Sequence, residues 1–168
     1  MTIHTRICKS LEETQALASQ WVQSLGPTSL KLRGATTVGL SGDLGSGKTS
    51  FVQGVARALG ITDHVTSPTF ILERVYPTSL KLRGASKIGS LENCLQIANC
   101  SFRHLIHIDA YRLDSASELK HLGFAELASD LTNLILIEWP ERVSEGLPFG
   151  IPIIKFEFID ETTRKISF

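Results

Sequence analysis

The stretch Gly42-Asp43-Leu44-Gly45-Ser46-Gly47-Lys48-Thr49 constrains this chain more than any other. It satisfies G-x-x-x-x-G-K-[ST] at every position. The glycines of that pattern admit positive φ and turn successive N–H groups inward as an anion nest. Lys48 can then reach the β- and γ-phosphates of a nucleoside triphosphate, while the Thr49 hydroxyl can ligate Mg²⁺. The flanks supply the required context. Upstream, TTVGLS (36–41) is β-branched and apolar, as a buried strand should be. Downstream, Phe51, Val52, Val55 and Leu59 recur at helical spacing and Gly60 stands at a natural C′ position. Strand, loop and helix in that order set bound phosphate on a helix N-terminus.

The rest of the chain alternates in the same way. TIHTRIC predicts an opening strand, and Ser10 with Glu13 forms a capping box that starts a helix running to about Leu25. Leu11, Leu17, Trp21, Val22 and Leu25 are its approximate apolar stripe. After Pro68, residues 70–76 read as a strand, and HLIHIDAY and NLILIEW as two buried strands of a parallel sheet. Between them Ser115 and Glu118 form a second capping box, and Gly123 ends that short helix. IPIIKFEFID and TRKISF close the chain as alternating strands around a polar turn. The expected fold is therefore a three-layer α/β, P-loop NTPase-like domain spanning 1–168. Its mostly parallel central sheet would carry helices on both faces and antiparallel C-terminal strands.

Composition narrows the function classes. At 168 residues and 42% hydrophobic, the chain supports one domain with a core, and no apolar run is long enough to span a membrane. MTIHTRICKS lacks the apolar stretch of a signal peptide, so a cytoplasmic protein is expected. Cys8, Cys94 and Cys100 form no C-x-x-C pair and read as free thiols. Seventeen basic residues balance seventeen acidic ones, so the chain lacks the basic excess of a protein that grips nucleic acid alone. PTSLKLRGA occurs twice, at 27–35 and 77–85. Both copies read as exposed loop insertions, the second opening an irregular excursion over 77–103.

A phosphate-binding loop needs an acidic residue at the end of a neighbouring strand. Asp109 ends LIHID and Glu138 ends LILIE. Either could instead cap the element that follows it, but with two candidates at least one is expected at the metal. SPT (67–69) occupies the place of a switch segment that senses the γ-phosphate. Trp139 stacks on a base or belongs to the core.

GDLGSGKTSFVQGVARALG, SPTF, HIDAYRL, GFAEL and IEWPER, in this order, resemble the TsaE (YjeE) family over nearly the whole chain. Its members are bacterial P-loop ATPases needed for the threonylcarbamoyl-adenosine modification next to the tRNA anticodon. The resemblance implies ATP and Mg²⁺ as ligands, with Leu44 to Thr49 wrapping the phosphates, flanked by Gly42, Asp43 and Ser50. It puts Thr49 and Glu138 on Mg²⁺, Asp109 by the γ-phosphate, and Trp139 and Leu11 close to the nucleotide. Lys48, Asp109 and Glu138 would carry the chemistry. The implied partners are TsaD-like and TsaB-like proteins, which would hold the tRNA and stimulate hydrolysis. The family usually joins the strand after SPTF to HIDxYRL by a shorter connection than 77–103. A small-molecule kinase with a P-loop is the alternative, though the arginines are scattered and only YRL adjoins a site candidate. A regulatory GTPase should carry N-K-x-D, which this sequence does not contain.

Overall fold

Seven strands form one sheet, and the strand that leads into the phosphate loop lies at its centre. The computed structural model describes residues 4–25, 34–68, 72–78 and 102–168. Its strands are β1 (Thr5–Cys8), β2 (Thr36–Ser41), β3 (Glu73–Pro77), β4 (His104–Asp109), β5 (Asn133–Glu138), β6 (Ile153–Phe158) and β7 (Arg164–Ser167). The helices are α1 (Leu11–Ser24), α2 (Lys48–Ala58), α3 (Ala116–His121) and α4 (Phe124–Ser129). Spatial order is β1-β7-β6-β2-β5-β4-β3. The four central strands β6, β2, β5 and β4 run parallel, while β3 pairs antiparallel with β4 and β7 antiparallel with β6 and β1. The expected mostly parallel sheet is therefore present. Of the two C-terminal strands expected to be antiparallel, only β7 opposes the core, because β6 itself joins it in parallel through β2.

Alternation along the central strands assigns each face its cover. Leu105, Leu134 and Leu136 face one layer together with Phe51, Val52 and Val55 of α2 and Ala18 and Val22 of α1. Ile106, Ile108, Ile135 and Ile137 face the opposite layer with Leu119 of α3 and Phe124 of α4. Both faces of these strands are covered by apolar clusters, so the strands read as continuous apolar runs.

Helix α1 starts where its capping box predicts. The Glu13 N–H donates to Ser10 Oγ at 3.2 Å, and the Glu13 carboxylate accepts from the Lys9 N–H at 2.7 Å. Most of the expected stripe faces the core, with Val22 inside and Leu17, Trp21 and Leu25 partly buried against it, but Leu11 is half exposed and the deepest positions also include Thr14, Gln15 and Ala18. Close approach to α2 is the reason. A Cβ at Gly54 would stand 2.6 Å from the Gln15 carbonyl oxygen and 2.8 Å from Ala18 Cβ, so only small or slender groups fit the crossing. The second capping box forms only in part. Glu118 accepts from the Asp114 N–H at 3.3 Å, while Ser115 pairs with Ser117 instead of capping. Gly123, with φ of 69°, stops α3 and starts α4, a helix the sequence pattern did not suggest.

The supposed insertions are anchored at their edges. Most of both segments lies outside the described residues, but Ala35, at the end of the first repeat, is buried and donates its N–H to Ala128 O at 2.8 Å. Pro77 pairs with His104 in the sheet, the Thr78 N–H donates to Arg103 O at 2.9 Å, and Phe102 packs into the core. Ala35, Thr78 and Phe102 are thus tied to the fold, while Pro77 and Arg103 are exposed. Cys8 is buried and unpaired; Cys94 and Cys100 lie outside the described residues. Among those residues no helix is long and apolar enough to cross a membrane.

Candidate functional site

The C-terminal ends of three adjacent parallel strands converge on the glycine-rich loop, the position where open α/β sheets place their ligands. Strand β2 runs directly into the loop, β5 ends at Glu138 beside Leu40 of β2, and β4 ends at Asp109 beside Glu138. Two glycines of the loop carry its shape. At Gly42, φ is 149° and a Cβ would lie 2.3 Å from the Phe156 carbonyl oxygen of β6, a backbone atom that cannot step aside. At Gly47, φ is 98° at the N-cap of α2, which leaves the first N–H groups of that helix directed at the loop. Ser46 is fully buried, and its Oγ has no partner among the described residues.

Lys48 opens α2 and is itself buried. Its ammonium donates to Gly42 O at 2.7 Å and Asp43 O at 2.9 Å, and lies 4.2 Å from the centre of the Trp139 ring. Burial pushes its pKa below the ordinary lysine value, while the carboxylates of Glu138, Asp109, Glu141 and Asp43 act in the other direction. Trp139 takes the left-handed conformation, φ 59°, which turns the chain sharply after β5. Its ring also meets Tyr111 at 5.2 Å. The indole is therefore a platform for the loop lysine, partly buried against the core on its other side.

The two strand-end carboxylates have different surroundings. Glu138 is buried, and its Oε1 accepts from the Thr49 hydroxyl at 2.8 Å and from His107 Nε2 at 2.9 Å. Asp109 is buried as well; Oδ2 accepts from Ser67 Oγ at 2.7 Å and Oδ1 from the Tyr111 N–H at 3.0 Å. Asp109 thus does cap the turn that follows it, and it also ties down the 67–68 end of the SPT segment. Thr49 and Glu138 offer a hydroxyl and a carboxylate oxygen side by side, the donor chemistry of a hard divalent cation. No cluster of three metal-ligating His, Cys, Asp or Glu residues occurs among the described residues. The pair suits a cation that completes its shell with phosphate and water better than one held in an all-protein cage.

A cleft of about 420 Å³ opens above this pair. Gly45, Gly47, Lys48, Thr49, Ser50 and Glu138 line one side, and Leu11 at the start of α1 lines another. The model of the threonylcarbamoyl adenosine biosynthesis protein TsaE family matches residues 8–166. The chain belongs to the TsaE family. A Rickettsia felis tRNA threonylcarbamoyladenosine biosynthesis protein TsaE is 34% identical over 162 residues, covering 96% of this chain and 77% of that one. Its Treponema pallidum namesake is 34% identical, covering 81% and 83%. Among solved structures, Bacillus subtilis YdiB superimposes with a TM-score of 0.65 at 25% identity, covering 99% of this chain and 84% of that one. The P-loop fold expected from the sequence is thereby shown.

Within this TsaE-family cleft the sequence-predicted residues divide. Leu11, Gly45, Gly47, Lys48, Thr49, Ser50 and Glu138 meet there, whereas Asp109 and Trp139 do not line it, Asp109 accepting from Ser67 and Trp139 lying against Lys48. Ser10, Glu12, Thr14, Glu161, Thr162 and Arg164 also line the cleft, and sequence reasoning missed them. Arg164 matters most. Its Nε donates to Gly45 O at 3.0 Å and its Nη1 to Asp160 O and Thr163 O, so it fastens the β6–β7 turn to the glycine-rich loop. An arginine in a terminal strand carries no local signal of that role. His107 was also passed over, although a histidine inside an apolar strand was visible in HLIHID.

Proposed function

We propose that the cleft binds ATP with Mg²⁺ and hydrolyses it, and that this cycle drives TsaD-like and TsaB-like partners in the cytoplasm to complete the tRNA modification for which the family is named. The contact between Thr49 and Glu138 carries the reading. It brings the last residue of the phosphate-loop motif within 2.8 Å of a buried strand-end carboxylate, as phosphoryl-transfer sites require. The glycine-rich loop presents N–H groups to the phosphates, and Lys48 exchanges its loop carbonyls for β- and γ-phosphate oxygens. Thr49 and Glu138 would hold Mg²⁺, whose chemistry there is to neutralise charge on those oxygens. Asp109, fastened to Ser67, responds to the γ-phosphate and transmits its loss to the 67–68 segment. The balanced net charge supports a division in which the partners hold the tRNA.

The test is reconstitution of the tRNA modification from purified partner proteins with and without this chain, with ATP consumption followed in parallel. Modification and ATP hydrolysis that depend on the chain are expected. Transfer of phosphate to a small metabolite, with no effect on tRNA, would move the protein to the small-molecule kinases.

A further inference from the structure

We infer that His107 is a positioning residue that sets the orientation of Glu138 and thereby tunes the affinity of the cleft for a divalent cation bound with nucleotide. This rests on the ATP and Mg²⁺ reading above. His107 lies in the middle of β4, is 0% exposed, and sits on the strand face it shares with Asp109 and Leu105. A polar ring at such a depth is costly unless hydrogen-bonded. The bond it makes there is to Glu138 Oε1, at 2.9 Å; Nδ1 has no partner among the described residues.

The arrangement fixes more than one atom. An ionised carboxylate can only accept, so His107 Nε2 and Thr49 Oγ1 are both donors to the same Oε1. Two donors from opposite elements, β4 and the start of α2, restrain rotation of the carboxylate about its terminal bond. Glu138 lines the cleft, so a cation arriving there meets a ligand whose orientation is already set. The Thr49 hydroxyl is itself a candidate ligand, and a metal on its lone pairs would redirect its O–H. His107 lies outside that ligand pair and holds Oε1 independently of the change. Partners of this kind, outside the ligand set, typically change metal affinity by about 10–100-fold when removed.

The experiment compares ATP affinity, by calorimetric titration of the full chain, in MgCl₂ and in EDTA. His107→Leu should retain the affinity measured in EDTA and lose about tenfold of the gain that MgCl₂ confers on the wild type. His107→Gln, whose amide N–H can occupy the place of Nε2, should recover most of that gain. His107→Asn, too short to reach, should not. The Asn and Gln pair makes the same comparison if the leucine variant does not fold. Retention of the full Mg²⁺ gain in the Leu or Asn variant would overturn the inference. So would a loss equal in MgCl₂ and EDTA, which would mark a merely structural residue. A wild type that binds ATP without any Mg²⁺ gain would remove the metal reading itself, and this inference with it.

Discussion

Replacing Lys48 by Met tests the phosphate site most directly, because it keeps an unbranched side chain of similar length and removes the ammonium. A hydrogen bond to a charged partner contributes about 1.5–3 kcal/mol. In this chain the ammonium already donates to Gly42 O and Asp43 O and rests on the Trp139 ring. Phosphate contacts therefore replace existing ones instead of adding to nothing, which favours the lower part of that range. At 1.4 kcal/mol per decade, a loss of about 1.5–2 kcal/mol weakens Mg²⁺–ATP binding by about ten- to thirtyfold. The fold should change little, since Gly42 is only partly buried and Asp43 is exposed, so water can reach the carbonyls left behind; a melting temperature within about 4 °C of wild type is expected. Calorimetric titration and thermal melting on the same preparation measure both quantities. Wild-type affinity in Lys48→Met would refute the assignment of this lysine to the phosphates. Loss of affinity accompanied by gross destabilisation would show that its role is to hold the loop.

Three other outcomes follow from the same geometry. Glu138→Gln should lose about tenfold or more of the Mg²⁺-dependent part of ATP affinity, whereas Asp109→Asn should bind ATP but lose on the order of a hundredfold in partner-stimulated hydrolysis; normal binding by the first together with normal turnover by the second would refute this division. Replacing residues 79–101 by a short Gly-Ser turn, with Pro77, Thr78, Phe102 and Arg103 kept, should leave soluble protein with unchanged ATP affinity, because the Thr78 to Arg103 bond already closes the ends; aggregation on trimming would count against it. Burial raises the Glu73 pKa above its ordinary value, so the folded state favours the protonated acid and Glu73 costs stability as pH rises through that raised value. Glu73→Gln should therefore melt about 2 °C higher than wild type at pH 8 and show no gain at pH 4, and an equal gain at both would show that ionisation is not the cause.

Local chemistry made much of this protein legible. G-x-x-x-x-G-K-T depends on backbone φ and short-range geometry, so the loop, the strand before it and the helix after it could be placed from adjacent residues alone. The same holds for the cap at Ser10, for the apolar runs of β4 and β5, and for the carboxylates that end them. The order of those elements along the chain already implied a layered α/β fold. Tertiary structure decided what depends on residues far apart in sequence. It put Glu138 against Thr49 and Asp109 against Ser67, because β5 lies between β2 and β4 in the sheet. It brought Arg164 onto Gly45, 119 residues away, by the pairing of β7 with β6. It added Thr14, Gln15 and Ala18 to the buried face of α1 and left Leu17, Trp21 and Leu25 only partly buried against the core, because the backbones approach closely at Gly54. It also drew the ends of two repeated segments into the fold, since hydrogen bonding to Ala128 and Arg103 is a property of what lies beside them and not of their own composition. Propensity and periodicity act over a few residues, whereas strand order and burial are settled by which apolar faces can be covered together, and the second kind of information exists only once the chain has folded.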